Sequence, residues 1–339
     1  MKICLVMGGD EEGGLENHVL GLANALADKH EVHLIAHQKY ASRLESVMFH
    51  PLDLSKSRRN PFLLVAVAKR IRTIAPDIIH AQASKAASIV SILKPFLPKR
   101  VKRVATLHSL KRKLAAFETF DWVIGVSGRV LETLQNTNQS VIYNGVDVDK
   151  QRLQQRDYLL DELNLPAKHK LIVAIGRLVP VKRFDLLIAA FQGITDAQLF
   201  IVGEGKERPK LEQQVKENDQ GNIHFLGNRP DNIEILSAAD LSVISSEREG
   251  FSYVMAESLL VKTPVISTDV ADMKKILPVN SVSAINDTVD FHKRLQNACE
   301  DYESFVDSYQ PVFEWAQREL HFDAMLTQTE QVYQQVLAE

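Results

Sequence analysis

Cysteine is nearly absent. Two residues in 339, Cys4 in an apolar run and Cys299 in a late helical stretch, exclude a disulfide framework and a thiolate metal site, and they suit a reducing cytoplasm. No apolar run approaches the ~20 residues of a spanning helix; the longest candidate is LLVAVA at 63–68. The start, MKICLVMGGD, offers only Ile3 to Met7 before glycines and an acid, too short for the apolar region of a signal peptide, so neither membrane crossing nor export is expected. The histidines show no metal-ligand spacing and no His-Glu-x-x-His occurs, so no metal is expected. Fixed-period repeats, low-complexity segments and nucleic-acid-binding motifs are also missing. Acid is scarce in one half: residues 1–150 hold 21 Lys+Arg against 14 Asp+Glu, a net +7, while the rest is −10.

What is present is an ordinary apolar fraction, 45%, in a chain longer than the ~250–300 residues one core can serve, so two domains are expected. The first half alternates short apolar strands with helices: KICLVMG, LENHVLGLANALADKH, EVHLIA, a basic helix over 61–75, DIIHA, a helix over 84–93, VKRVATLH, DWVIGVS and a helix over 128–135. Strands apolar throughout, separated by helices, predict a parallel sheet covered on both faces. After the Asn-Gly turn of SVIYNGVDVDK and a polar helical stretch over 150–164 the pattern restarts, with LIVAIG, AQLFIVG, NIHFLG, LSVISS and TPVIST as strands. The region from about 309 to 339 is helical. The fold class is therefore α/β, two Rossmann-like doubly wound parallel sheets, with ligands expected in a cleft lined by strand-to-helix loops.

Those loops carry the candidate chemistry. MGGDEEGGLENH can present bare amides and a helix N-terminus to a phosphate, or can be a turn and nothing more. Arg177 and Lys182, five residues apart where LIVAIG ends, can neutralise a diphosphate without a metal or can be a solvated loop. His108 follows VKRVATL directly, as a cleft residue or an ordinary strand-end histidine. In SEREGFSYVMAESLL, Glu249 precedes a helix and Glu257 lies about two turns inside it, so the two carboxylates would meet separate hydroxyl groups of one extended ligand. The basic, apolar-interleaved stretches at 56–72 and 94–113 can dock on anionic headgroups or be solvated helix faces.

The pieces GGLENHVLGLANAL, YNGVD, GRLVPVKRFDLLIAAF, LFIVGEG, IHFLGNRPDNIEILSAADLSVISS, EGFSYVMAES and KTPVIST, in this order over nearly the whole chain, resemble the retaining glycosyltransferases of family 4, of the GT-B fold. The resemblance implies an N-terminal acceptor-side domain over 1–155, a donor domain over 156–317, a cleft between them, and a last helix, about 318–339, returning to the first domain. It implies that Glu249 sits by the donor sugar with the amides of Gly250, Phe251 and Ser252, and that Glu257 binds the ribose. Arg177 and Lys182 would clamp the diphosphate, and Gly14 would approach the phosphates. His108 would lie near the donor sugar and the reacting centre, with the base near Gly203, Glu204 and Asn228. Arg183 stands where a glycine commonly follows the clamp lysine, placing charge near the diphosphate, and STDVADMKK lacks a customary glycine pair.

The implied activity is metal-independent, cofactor-free hexosyl transfer from a nucleotide sugar, UDP first and GDP-mannose next, to a saccharide or lipid-linked acceptor of cell-surface polysaccharide or lipopolysaccharide synthesis. The expected location is the cytoplasm, at the inner face of the membrane if the basic half docks there. Rivals are a sugar-nucleotide epimerase of the same fold, a degenerate partner subunit, and an exported sugar-binding protein that would need an export signal.

Overall fold

The computed structural model describes residues 1–10, 13–136, 138–148, 152–163 and 168–339. The chain divides into two compact units, Met1–Gly145 with Phe322–Glu339, and Val146–His321.

The first unit contains strands β1 (Lys2–Met7), β2 (Glu31–Ala36), β3 (Met48–Pro51), β4 (Ile78–Gln82), β5 (Lys102–Leu107), β6 (Trp122–Gly125) and β7 (Gln139–Val141). Its first four helices are α1 (Gly14–Ala27), α2 (Pro61–Ile74), α3 (Ala83–Leu93) and α4 (Gly128–Leu131). The strands form one parallel sheet in the order β3-β2-β1-β4-β5-β6-β7. Ile3, Leu5, Val32 and Leu34 pack on one face with α1, and Cys4, Val6, Ile79 and Ala81 on the other with α2 and α3. This two-sided burial is why the strands read as continuous apolar runs.

The second unit contains α5 (Asp157–Leu163), β8 (Lys170–Ile175), α6 (Phe184–Ala190), β9 (Ala197–Val202), α7 (Arg208–Glu217), β10 (Ile223–Gly227), α8 (Asn232–Ala238) and β11 (Leu241–Ile244). It continues through α9 (Tyr253–Leu260), β12 (Val265–Thr268), α10 (Met273–Ile276), β13 (Val282–Ser283), α11 (Thr288–Glu300), α12 (Tyr302–Asp307) and α13 (Gln310–Glu319). Its parallel sheet runs β10-β9-β8-β11-β12-β13. Helix α14 (Phe322–Ala338) belongs to the first unit, where Met325, Val332, Tyr333 and Val336 join the core beside α1.

Each sheet reverses its order once, between β1 and β4 and between β8 and β11. Crevices at the carboxyl ends of those strands are where open parallel sheets take ligands. The junction falls at Gly145/Val146, ten residues before the expected 155, because the Val146 amide donates to the Leu320 carbonyl at 2.8 Å and so joins the second unit. Strands β3, β7 and β13 were not expected. They are short, and two of them carry little buried apolar surface. The helix expected over 128–135 closes at Leu131, and the polar helix expected from 150 starts at Asp157; positions 150, 151 and 164 of that stretch, like Glu11 and Glu12, lie outside the described residues.

Candidate active site

In the second unit the switch point is bridged by two loops. The chain leaves β8 at Gly176, makes a 3₁₀ turn over Pro180–Lys182 and enters α6 through Arg183, while the loop after β11 runs to the start of α9. The Ser245 hydroxyl donates to the Lys182 carbonyl at 2.8 Å, and the Glu247 amide to the Val181 carbonyl at 2.9 Å. The Lys182 ammonium then pairs with Glu249 Oε1 at 2.5 Å, and the Ser246 hydroxyl donates to the same oxygen at 2.7 Å. Two residues separated by 67 positions, expected from the sequence to serve one ligand, are therefore locked together. Arg177 is exposed and forms no ion pair among the described residues, which leaves its fork open to an anion.

Beyond Glu249, Ser252 caps α9 by accepting from the Met255 amide at 3.3 Å, fixing the helix start beside Gly250 and Phe251. The Phe251 ring is buried edge-on against Tyr253 at 5.4 Å. Glu257 lies half-buried in α9 with no cation beside its carboxylate among the described residues, and burial pushes it up to about 7. A carboxyl with a raised folded pKa stabilises the fold fully below its unfolded value of 4.5 and loses that stabilisation as pH climbs through about 7. Glu257→Gln is therefore expected to match the parent at pH 4.5 and to exceed it by about 3 kcal/mol at pH 8. Urea unfolding at both pH values measures this, and equal stability at pH 8 would refute it.

A second depression, of about 390 Å³, is lined by Ile175, Gly176, Arg177, Val202, Gly203, Glu204, Asn228 and Asn232. Here two loops meet backbone to backbone. Gly203 has φ of +135°, and a Cβ on it would lie 2.0 Å from the Gly176 carbonyl oxygen; one on Gly205 would lie 2.2 Å from that of Leu178. The Leu178 amide donates to the Glu204 carbonyl at 2.9 Å, closing the seam. The Glu204 side chain is held by Arg208 one turn along, and Asn228 is exposed. Asn232, which the sequence reading did not single out, places Oδ1 in the protein shut from solvent and without a partner among the described residues. Its position at the head of α8 in RPDNIEIL was the available signal.

Arg183 is held by its neighbours. Its guanidinium is tied to Asp185, with Nε to Oδ1 at 3.0 Å, and to Asn286, so its charge is engaged there. What the position requires is backbone: φ is 50°, in the left-handed region glycine favours. Ala271, in the stretch lacking the glycine pair, likewise has φ of 47°.

The first unit's switch point holds Gly14, the first residue of α1, and His108, just past β5. The structure adds Gln82, His18 and His80. His108 Nε2 lies 2.8 Å from Gln82 Oε1; a carboxamide oxygen only accepts, so Nε2 carries the proton and Nδ1 is the lone pair. Gln82 is fully buried at the end of β4. Behind it His80 bonds the Tyr333 hydroxyl at 2.6 Å and the Thr106 hydroxyl at 2.7 Å, and the His18 ring meets that of His108 edge-on at 5.0 Å. Burial, with His18 and His80 beside it, holds the His108 imidazole well below its usual range, hence neutral at pH 7. Gln82→Glu puts a carboxylate on Nε2 and favours the imidazolium, so a transfer rate flat from pH 8 to 6 is expected to fall severalfold over that range in the variant. Superimposable pH profiles would refute it.

Two family models match the chain: "Glycosyltransferase Family 4" over residues 12–150 and "Glycosyl transferases group 1" over 155–304. The chain is 25% identical to the N-acetyl-alpha-D-glucosaminyl L-malate synthase of Bacillus anthracis, over 93% of this chain and 92% of that one. It is also 25% identical to the lipopolysaccharide core biosynthesis glycosyltransferase LpsE of Rhizobium meliloti, over 76% of each. In structure it resembles Anabaena Alr3699/HepE, solved in complex with UDP, at a TM-score of 0.84 and 18% identity, over 99% of this chain and 100% of that one. With two Rossmann-like parallel-sheet units and both family models in sequence along it, the chain belongs to the family 4 glycosyltransferases of the GT-B fold.

Proposed function

We propose that this glycosyltransferase moves a hexose, with retention and without a metal, from a nucleoside diphosphate sugar to a saccharide or lipid-linked acceptor in cell-surface polysaccharide synthesis. The observation that carries the reading is the Lys182–Glu249 pair at 2.5 Å, which puts a cation and a carboxylate side by side at the sheet's switch point, next to the capped start of α9. Breaking the anomeric carbon–phosphate bond develops negative charge on the diphosphate and positive charge on the sugar. Fixed cations and helix amides stabilise the first, and a carboxylate favours the second. In this reading Arg177 and Lys182 hold the diphosphate, Glu249 faces the sugar with the amides of Gly250 to Ser252, and Glu257 accepts from the ribose hydroxyls. The acceptor attacks from the leaving-group face, and a diphosphate oxygen takes its proton, so Glu249 needs no role as a base. His108 and Gly14 are the first unit's own candidates, the neutral Nδ1 of His108 being able to accept from a hydroxyl.

UDP is favoured as the base. The Anabaena relative in fold, solved with UDP, supports that choice. LpsE and its lipopolysaccharide core guide the choice of acceptor class. The test is thermal unfolding with UDP, GDP, ADP, CMP and their sugar conjugates in EDTA. One diphosphate family should stabilise the protein by about 2.7 kcal/mol at a hundredfold excess over its dissociation constant. No shift with any of them would overturn the donor assignment, and a shift that needs a divalent ion would overturn the metal-free clamp.

A further inference from the structure

We propose that the groove between α2 and α3 receives the hydrocarbon chain of an anionic bilayer lipid, seating the first unit on an anionic membrane. Helix α2 is apolar on more than one face. Leu63, Val67, Ile71 and Ile74 are buried in the core. A second stripe, Pro61, Leu64, Val65 and Ala68, looks across an open groove of about 710 Å³ to Ile92, Leu93 and Phe96. That volume lies within the ~300–1,000 Å³ of ligand sites. On its walls Val65 is 68% exposed and Phe96 60%, and Phe62, next in sequence to Pro61, is 84% exposed, large apolar side chains in solvent of the kind that marks an interaction site.

The chemistry of the groove selects its occupant. Its polar lining is Lys69, Arg72 and Thr73, all on the last turns of α2, so the groove is apolar along its length and cationic at one end. A sugar or a nucleotide would leave hydroxyls and amides without partners against Leu64, Val65, Ala68 and Ile92; a hydrocarbon chain has none to satisfy. The surroundings fix the sign of the headgroup. Residues 54–76 contain six Lys and Arg and no acid, and residues 78–117 contain nine and no acid, of which Arg103 is buried in a pair with Asp121 and eight remain. Arg72 bonds the Phe96 carbonyl at 3.4 Å, holding a cation at the lip of the apolar wall. One hydrocarbon chain gives only marginal anchoring, and a basic cluster adds ~1 kcal/mol per residue near an anionic surface, so both signals are needed and both are here.

The inference stands apart from the sugar-transfer reading, which thermal stabilisation by UDP reports separately. The experiment is flotation of the full chain with vesicles of phosphatidylcholine alone or with one quarter phosphatidylglycerol. Binding to the phosphatidylglycerol vesicles is expected. It should fall at least tenfold in Val65→Asp/Phe96→Asp, whose exposed positions leave the core intact, as circular dichroism and the UDP shift would verify. Soluble glycerophosphoglycerol should not displace the protein. The proposal is overturned if the parent does not float, if it binds neutral vesicles equally, if the double variant floats undiminished, or if the soluble headgroup alone competes binding away.

Discussion

Lys182→Ala is expected to lower kcat by about 10²–10³, the loss typical of removing one preorganised group that stabilises developing charge. The ammonium is placed by main chain: its carbonyl accepts from Ser245, its amide donates to the Val179 carbonyl at 3.0 Å, and Phe184, Leu186 and Leu187 anchor the helix that follows. None of these depends on the side chain, so the variant keeps its fold and the defect is chemical. Lys182→Arg should rescue only part of the rate, since a planar fork cannot reproduce a compact ammonium that also meets Glu249. Steady-state kinetics separates the outcomes: a fall in kcat supports the clamp, and a kcat within threefold of the parent removes Lys182 from the mechanism.

Glu249→Gln carries the second large effect, and its two halves point in opposite directions. Transfer should drop by about 10³, because the amide gives the developing positive sugar no opposite charge. Affinity for UDP should hold or tighten severalfold. In the free protein Glu249 Oε1 holds the Lys182 ammonium at 2.5 Å, so a diphosphate that takes this ammonium on binding has to displace the carboxylate, and the amide is the weaker competitor. Glu257→Gln should do the reverse, weakening UDP by exchanging one of the two carboxylate acceptors of the ribose for an amide donor while leaving more of kcat. Calorimetric titration of both variants decides it. Equal losses of UDP affinity would abolish the division of roles between the two carboxylates.

The parts legible in the sequence were those with a strong local signature. Strands buried on both faces, such as β1 and β9, announce themselves as apolar runs, and the glutamate spacing and the Arg177 to Lys182 loop point to a clamp before any coordinates. What sequence hides is side-chain partnership over distance. The Lys182–Glu249 bond joins residues 67 apart, and the Arg183 guanidinium meets Asn286, 103 positions away. Gln82 escaped notice for another reason. It stands at the end of an apolar strand, where burial is the ordinary reading, and only the strand order shows that this end lies at the switch point. Strand β3, four half-exposed residues ending in Pro51, lacks the pattern on which such reading depends.

Under the proposed placement of the donor base, the glycine seam at 203 and 205 bears on how the protein could change its donor. With no room for a Cβ between those residues and the carbonyls of 176 and 178, neither position can acquire a side chain without separating the loops that carry Arg177. Natural variation and engineering alike are confined to the borders of that seam, at Glu204, Asn228 and Asn232. A lineage drifting from one nucleotide to another would record the switch at these three positions while the glycines between them stayed fixed.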